Sequence, residues 1–426
     1  MGVFGMQVVL SVIAGPHQGT RFTFDAHDSF IVGRSDRAHL RLSQKDRYFS
    51  RVHFLIEVNP PMCRVVDLGS RNGTLVNDHK VQVADLHDGD KIKGGNTIFE
   101  VKFIHENEES PVTPDIAMTG SFPEVPQLSG GEKATNSVVT PAKTSKPLVI
   151  DGYRILKKLG QGGMGEVYLA IRTSDQQEVA IKTIRPIVQG SEREVERFLR
   201  EASILQNLQH PNIVAFHDMG SAGELLFFTM DYVRGMDASG LLKREGPLPI
   251  RRAVDLVCQA IDGLQYAHSQ GYVHRDVKPS NLLVSQAEGR EICQLADFGL
   301  GRIYRSTKMS GLTMLDDVGG TVPFMAPEQI TNFRGAKPPA DQYAAAATLY
   351  RLLTAKYIFD FDGVPDQERF SIVLLKAPVD IRKRRNDIPH KLAKAIHMAL
   401  AKDAHNRYAD VATFGRVLRQ FAESDQ

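Results

Sequence analysis

From residue 7 to residue 104, apolar positions come in short runs, at 7–13, 21–24, 30–32, 52–58, 63–67 and 97–103. Gly, Asn and Asp punctuate them, in Ser70-Arg71-Asn72-Gly73, His87-Asp88-Gly89-Asp90 and Gly94-Gly95-Asn96. Short strands at such regular spacing predict an all-β sandwich. Across 105–149 the pattern dissolves into Pro, Ser, Thr, Gly and Glu with few large apolar residues. Such a stretch buries too little surface to offset its ordering entropy, which predicts a disordered linker. From 150 to 422 the order is strands first and helices after. Strand-like runs occupy 153–159, 165–171 and 178–184, followed by helical spacing over 192–206. Beyond Gly246 long helical stretches dominate, at 249–270, 340–353, 389–400 and 411–421. A small strand-rich lobe leading into a larger helical one is an α+β order. The chain is thus expected to be multidomain.

Composition changes this picture little. A length of 426 residues suits two or three domains, and 42% apolar with 24% charged residues suits a globular protein. The net charge of +2 gives no support for general nucleic-acid or membrane-surface binding, and the run Arg382-Lys383-Arg384-Arg385 is read as a solvated loop. Cys63, Cys258 and Cys293 are odd in number and far apart, so they form neither a disulfide framework nor a zinc spacing. The segment Met1 to Gln7 has no positive flank of the signal-peptide kind, and Met6 stands where a myristoylation motif has Ser or Thr. No apolar run reaches the roughly 20 residues of a membrane span. The expected location is cytoplasmic.

Candidate chemistry concentrates at His274-Arg275-Asp276-Val277-Lys278-Pro279-Ser280-Asn281 and at Ala296-Asp297-Phe298-Gly299. Together they offer a carboxylate able to accept a hydroxyl proton (Asp276), a lysine (Lys278), and an amide and second carboxylate (Asn281, Asp297) able to hold a divalent cation against a triphosphate. That is a set of parts for phosphoryl transfer, where catalysis is mostly positioning and charge neutralisation. Upstream, Gly160, Gly162 and Gly165 fit G-x-G-x-x-G. The motif alone is weak, but here a strand follows where a dinucleotide-binding fold would open a helix. Lys182 ends the apolar run Val179-Ala180-Ile181, and Glu201 lies nineteen residues on within helical spacing, with Glu194 and Glu196 as alternatives.

With Ala326-Pro327-Glu328 and His405-Asn406-Arg407, these motifs make residues 150–422 resemble a serine/threonine protein kinase of the eukaryotic-like, Hanks type found in bacteria. The resemblance implies a bilobal fold, MgATP (or MnATP) as cofactor and protein substrates. It assigns Asp276, Lys278 and Asn281 to catalysis, and Asn281 and Asp297 to metal. ATP would lie against Gly160, Gly162, Gly165, Val167, Lys182, Glu201, Asp231 and Val233. It also pairs Lys182 with Glu201 and Glu328 with Arg407, and gives Asp341 the anchoring of the catalytic loop. Arg275 before Asp276 implies control by phosphorylation, with Thr313 favoured and Ser310 an alternative. Two departures stand out: an extended stretch at 285–292 and the small-residue run Ala344 to Ala347.

Within 7–104, Gly33-Arg34-Ser35, Ser50-Arg51-Val52-His53 and Ser70-Arg71-Asn72-Gly73-Thr74 occur in order. That trio resembles the forkhead-associated (FHA) domain, which binds phosphothreonine peptides. The resemblance implies that Arg34, Ser50 and Arg51 meet phosphate, that Asn72 and Arg71 contact the peptide, and that His53 braces the loops. Thr113-Pro114-Asp115-Ile116 in the linker is a candidate internal ligand, bound in cis or in trans, once Thr113 is phosphorylated. Competing readings are a non-catalytic scaffold and a small-molecule kinase. No nucleic-acid or membrane partner is expected.

Overall fold

The computed structural model describes residues 6–42, 48–105, 148–162, 165–184, 192–223, 225–298, 312, 320–332 and 335–423. The N-terminal strands are β1 (Met6–Ala14), β2 (Arg21–Phe24), β3 (Asp28–Gly33), β4 (Leu40–Arg41), β5 (Phe54–Asn59), β6 (Met62–Asp67), β7 (Thr74–Val76), β8 (His79–Val81), β9 (Val83–Asp85), β10 (Lys91–Gly94) and β11 (Thr97–His105). They form two sheets, ordered β2-β1-β11-β10-β7-β8 and β4-β3-β5-β6-β9. The inner faces interdigitate through Val8, Leu10, Phe99 and Val101 on one side and Val32, Phe54, Ile56 and Val65 on the other. The expected sandwich is therefore present. The runs at 21–24 and 63–67 fall on strands, whereas β4 and β7 to β10 are too short to show a period. Asn77 and Asp78, both left-handed (φ 49° and 64°), make the two-residue turn between β7 and β8.

The C-terminal part opens with β12 (Tyr153–Gly162), β13 (Gly165–Arg172) and β14 (Glu178–Ile184), then α1 (Glu192–Ser203), β15 (Phe216–Ala222) and β16 (Leu225–Asp231). The sheet order is β12-β13-β14-β16-β15. The helical spacing over 192–206 divides into α1 and a 3₁₀ turn at Ile204–Asn207. Next come β17 (Gly235–Asp237), α2 (Ala238–Glu245), α3 (Ile250–Ser269), and the hairpin of β18 (Leu282–Ala287) and β19 (Arg290–Leu295). This hairpin accounts for the extended stretch at 285–292: Glu288 and Gly289 (φ 51° and 76°) turn it tightly. The last helices are α4 (Pro327–Thr331), α5 (Pro339–Thr354), α6 (Asp366–Leu375), α7 (Ile381–Arg384), α8 (His390–Ala399) and α9 (Val411–Glu423). Ala344 to Ala347 lie on α5 and all four are buried, because α5 is enclosed around its circumference. The basic run at 382–385 departs from its reading as a solvated loop. Arg385 donates to the carbonyls of Leu248 and Leu353 at 2.7 and 3.0 Å, and Arg384 pairs with Asp360, so these residues tie α7 to the lobe.

One feature of the sandwich departs from the usual alternation. The outward positions of β3, β5 and β6 should be polar, yet Ile31, Leu55 and Val66 are apolar and 0–1% exposed. They join the core of the C-terminal part instead. Around them, Ser29 Oγ donates to the Ile330 carbonyl at 3.2 Å, and Gln367 Nε2 donates to Gln82 Oε1 at 3.2 Å. His39 accepts the Ile31 N–H at Nδ1 (2.8 Å), which leaves its Nε2–H to donate to the Thr331 carbonyl. The sandwich thus docks on α4 and α6. Each of the three apolar side chains contributes about 1.5–3 kcal/mol of burial to folding and docking together.

Lys402 sits near this junction. Its ammonium lies 4.3 Å over the Phe359 ring and donates to the Val373 carbonyl. Burial, with Arg37 of the sandwich and Arg407 adding repulsion, pulls its pKa down to about 7 from 10.5. An unfolded lysine keeps its proton up to its ordinary pKa, whereas the folded one releases it above about 7. The unfolded state then binds more protons, so this site makes stability rise with pH from about 7 upward. Burial pushes the Cys63 thiol up to about 12, which acts oppositely above its ordinary 9.0, so the clean window ends near there. Lys402→Met should abolish the gain in urea midpoint between pH 7 and pH 9. Identical pH slopes in the two proteins would contradict it.

Candidate functional site

The cleft-facing loop is built on a buried carboxylate. Asp341, at the start of α5 and 0% exposed, accepts the backbone N–H groups of His274 and Arg275 at 2.8 and 2.6 Å and His268 Nε2 at 2.8 Å. These bonds hold Arg275 in a left-handed conformation (φ 67°), a strained state for a non-glycine residue. The kink turns Asp276 outward. Its Oδ1 meets Lys278 Nζ at 3.0 Å and accepts from Thr321 Oγ1 at 3.2 Å, while Lys278 Nζ donates to that hydroxyl at 2.8 Å. Asn281 Nδ2 donates to Asp276 Oδ2 at 3.1 Å and to the Asp276 carbonyl at 2.8 Å. Both carboxylate oxygens are therefore oriented by local donors.

His274 links this loop to the second acidic motif. Its Nδ1 accepts the Asp276 N–H at 3.2 Å, so Nε2 carries the hydrogen and donates to the Ala296 carbonyl at 3.0 Å. Its ring lies 4.4 Å from that of Phe298. Asp297 next to it is left-handed (φ 60°), and its Oδ2 receives Lys182 Nζ at 2.7 Å. Lys182 comes from the end of β14. The backbone of Glu201 lies on α1, but its side chain falls outside the described residues.

Above the cleft, β12 and β13 pair Gly160 with Val167 and Gly162 with Gly165. A side chain at Gly165 would place its Cβ 1.8 Å from the Thr183 carbonyl, so only glycine permits this hairpin to close on β14. Asp231 and Val233 lie at and just past the end of β16, where His217 Nε2 meets Asp231 Oδ1 at 2.7 Å. Asn281 and Asp297 offer hard oxygen ligands. Among the described residues no group of three His, Cys, Asp or Glu side chains gathers for a metal. Two protein ligands completed by substrate phosphates and water suit Mg²⁺.

In the sandwich, the three loop motifs converge at one end. Arg34 Nε donates to the Phe49 carbonyl at 2.5 Å, and the Arg34 N–H donates to the Ser50 carbonyl at 3.1 Å. The Ser50 hydroxyl accepts the Arg71 N–H at 3.0 Å, and its own hydrogen remains a donor. His53, 0% exposed, accepts the Ser50 N–H at Nδ1 (3.1 Å) and donates from Nε2 to the Gly73 carbonyl (3.2 Å). Asn72 Nδ2 donates to the Tyr48 carbonyl at 2.7 Å. A Cβ at Gly33 would lie 2.3 Å from the Arg51 carbonyl, so the first loop abuts the second directly. Arg34, Ser50, Arg51 and Arg71 line one cavity together with Tyr48, the residue whose carbonyl Asn72 holds. Thr113, Ser310 and Thr313 fall outside the described residues.

Three contributors escape sequence reading. Gln329 on α4 donates from Nε2 to the Arg275 carbonyl at 2.9 Å and accepts the Ala326 N–H at 3.0 Å. His268 supports Asp341, and Lys376 reaches the sandwich cavity from the other unit. Only Gln329, directly after Ala326-Pro327-Glu328, had a local cue.

Arg407 fixes α4 from beneath. Its side chain is 0% exposed and bridges Glu328 by two bonds, Nη1–Oε1 at 2.6 Å and Nη2–Oε2 at 2.8 Å. Nε and Nη1 also donate to the Ala401 and Pro339 carbonyls, each at 2.8 Å. A planar fork is required here. Arg407→Met should lower unfolding free energy by roughly 3 kcal/mol in urea titration, since it strands a partly buried carboxylate. Arg407→Lys should recover only a fraction, and full recovery would mean that charge alone matters.

The protein kinase domain model matches residues 153–417, and the FHA domain model matches residues 30–95. The serine/threonine-protein kinase PrkC of Bacillus subtilis is 34% identical over 259 residues, covering 60% of this chain and 38% of PrkC. The first curated relatives are matched over 26% to 56% of their own length. The crystal structure of the Mycobacterium tuberculosis PknI kinase domain is 27% identical with a TM-score of 0.51, covering 65% of this chain and 99% of that one. The crystal structure of Rad53 1-466 in complex with AMP-PNP spans 96% of this chain and 98% of its own at a TM-score of 0.51, and at 21% identity the likeness is one of fold. No described helix is long and apolar enough to cross a membrane.

Proposed function

Because the chain belongs to the protein kinase family and carries an FHA domain, we propose that it is a serine/threonine protein kinase with its own phosphothreonine reader. It transfers the γ-phosphoryl group of MgATP, or MnATP, to Ser or Thr hydroxyls of proteins, its own included. The reading that carries this is the Asp276–Lys278–Thr321 triangle, in which a carboxylate is held ready beside a cation. The boundaries we assign are 7–104 for the reader, 105–149 for the linker and 150–422 for the kinase.

In this mechanism Asp276 orients the substrate hydroxyl and takes its proton as the new oxygen–phosphorus bond forms and the bond from the γ-phosphorus to the departing ADP breaks. Lys278, 3.0 Å from Asp276, neutralises the transferring phosphoryl group. Because the transition state is loose, orientation matters more than basicity, and the donors on both oxygens of Asp276 supply it. Gly160, Gly162 and Gly165 let backbone approach the phosphates, with Val167, Asp231 and Val233 framing the nucleotide. Lys182 reaches the α- and β-phosphates, with Glu201 as its helix partner. Asn281 and Asp297 would hold the divalent cation, which when bound would offset phosphate charge. Lys182 Nζ lies 2.7 Å from Asp297 Oδ2, which brings these two side chains together.

The sandwich reads phosphothreonine through Arg34, Ser50 and Arg51, whose charge-assisted bonds suit a dianion, with Asn72 and Arg71 on the peptide. The linker Thr113 and the segment containing Ser310 and Thr313 are its candidate internal ligands or regulatory sites. Protein substrates and phosphothreonine peptides are the partners.

Two experiments test these readings separately. After incubation with MgATP, phosphosite mapping should find new phosphothreonines in the wild type and none in Asp276→Asn. Equal phosphate in both would refute the catalytic assignment, and the mapped positions decide among Thr113, Ser310 and Thr313. By calorimetry, Arg34→Ala should lose phosphothreonine-peptide binding by more than about a hundredfold, the scale of a buried charge-assisted contact. Unchanged affinity would remove the reader assignment.

A further inference from the structure

Where the sandwich docks on the C-terminal lobe, the loops around Arg34 and the end of α6 enclose a cavity of about 340 Å³. Its wall comes from both units. The sandwich supplies Arg34, Ser50, Arg51 and Arg71, and the lobe supplies Ser371 from α6 and Lys376 immediately after it. Four cations thus border one space, and among its described lining residues none is Asp or Glu. Like charges gathered around a concave site repel one another and draw in an anion. A phosphothreonine carries at most about two negative charges, and the Glu368 carboxylate beside Gly69 at the cavity edge adds one more, so the four cations still exceed the negative charge they would face.

The arrangement is not a grazing contact. The apolar outer face of β3, β5 and β6, with Ile31, Leu55 and Val66 0–1% exposed, fixes the sandwich on α4 and α6. Gly69, itself a cavity-lining residue, packs against Glu368 of α6 so closely that a Cβ there would lie 2.8 Å from that side chain. The position of Lys376 relative to the phosphate loops is therefore set by packing on both sides of the cavity.

We propose that the phosphothreonine site of the intact protein is composite, with Lys376 and Ser371 of the kinase lobe forming its second wall. Its ligand is a phosphothreonine peptide that carries a further acidic residue, and Lys376 selects for that second charge. The kinase lobe is then part of the reader's specificity, which rests on the sandwich being a phosphothreonine reader.

The test uses the full chain and two phosphothreonine peptides that differ only in flanking residues, Asp in one and Ala in the other. Binding is followed by fluorescence anisotropy. Lys376 is exposed, so its substitution leaves the core intact. The wild type should prefer the Asp peptide. Lys376→Ala should weaken that peptide about fivefold, the scale of one exposed ion pair, and Lys376→Glu more, with little change for the Ala peptide. Arg34→Ala should lose both peptides. If Lys376→Glu binds the Asp peptide like wild type while Arg34→Ala loses it, the composite site is wrong and the reader stands. If Arg34→Ala also binds normally, the reader assignment falls and the composite site with it.

Discussion

A single buried carboxylate organises the catalytic side of this molecule. Asp341 has no exposed surface, and it is kept there by the N–H groups of His274 and Arg275 and by the ring of His268. An ionised group out of water is tolerated only when hydrogen bonds replace its hydration. Here those bonds do a second thing: they hold Arg275 in a left-handed turn that an unsupported chain would relax. From that turn follow the outward aim of Asp276, the position of Lys278 and Asn281, and the seat of His274 against Phe298 and the Ala296 carbonyl. Asp297 is left-handed as well, so both acidic motifs are shaped by strain that the surrounding packing sustains.

Much of this was legible in the sequence because the informative residues are polar ones at fixed separations. Asp276, Lys278 and Asn281 are close in the chain, and a loop alone brings them together. The short apolar runs at 7–13, 30–32, 52–58 and 97–103, set between Gly, Asn and Asp turns, showed the sandwich for the same local reason. What stayed hidden was long-range. Arg384 and Arg385 read as solvated charge because nothing nearby in the chain announces Asp360, Leu248 or Leu353 as their partners. The alanine run on α5 looked anomalous until the helices around it were in place. His268 carries no signal of its own, since its role exists only once α3 brings it to Asp341.

The apolar outer face of the sandwich is the clearest case of a pattern whose meaning depends on the second domain. Strands β5 and β6 are buried on both faces, and in an isolated sandwich one face should be wet. The consecutive apolar residues Phe54-Leu55-Ile56 and Val65-Val66 point to both faces of the sheet, and a second covering layer is what such a sheet requires. The C-terminal lobe is that layer. A linker of whatever length then tethers two units that already share a packed face, so the reader is oriented by contact rather than by the linker.

Helix α4 is where the two halves of the molecule meet most consequentially. On one side its Ile330 and Thr331 carbonyls accept from Ser29 and His39 of the sandwich. On the other, Gln329 holds the Arg275 carbonyl and Glu328 is forked by Arg407. A helix of five residues therefore carries contacts to the docking face on one side and to the kinked catalytic loop and its brace on the other. A helix that short, with its polar groups committed in both directions, has little room to give on one side without shifting on the other. The sandwich and the cleft are joined through hydrogen bonds and packing rather than through the chain that connects them.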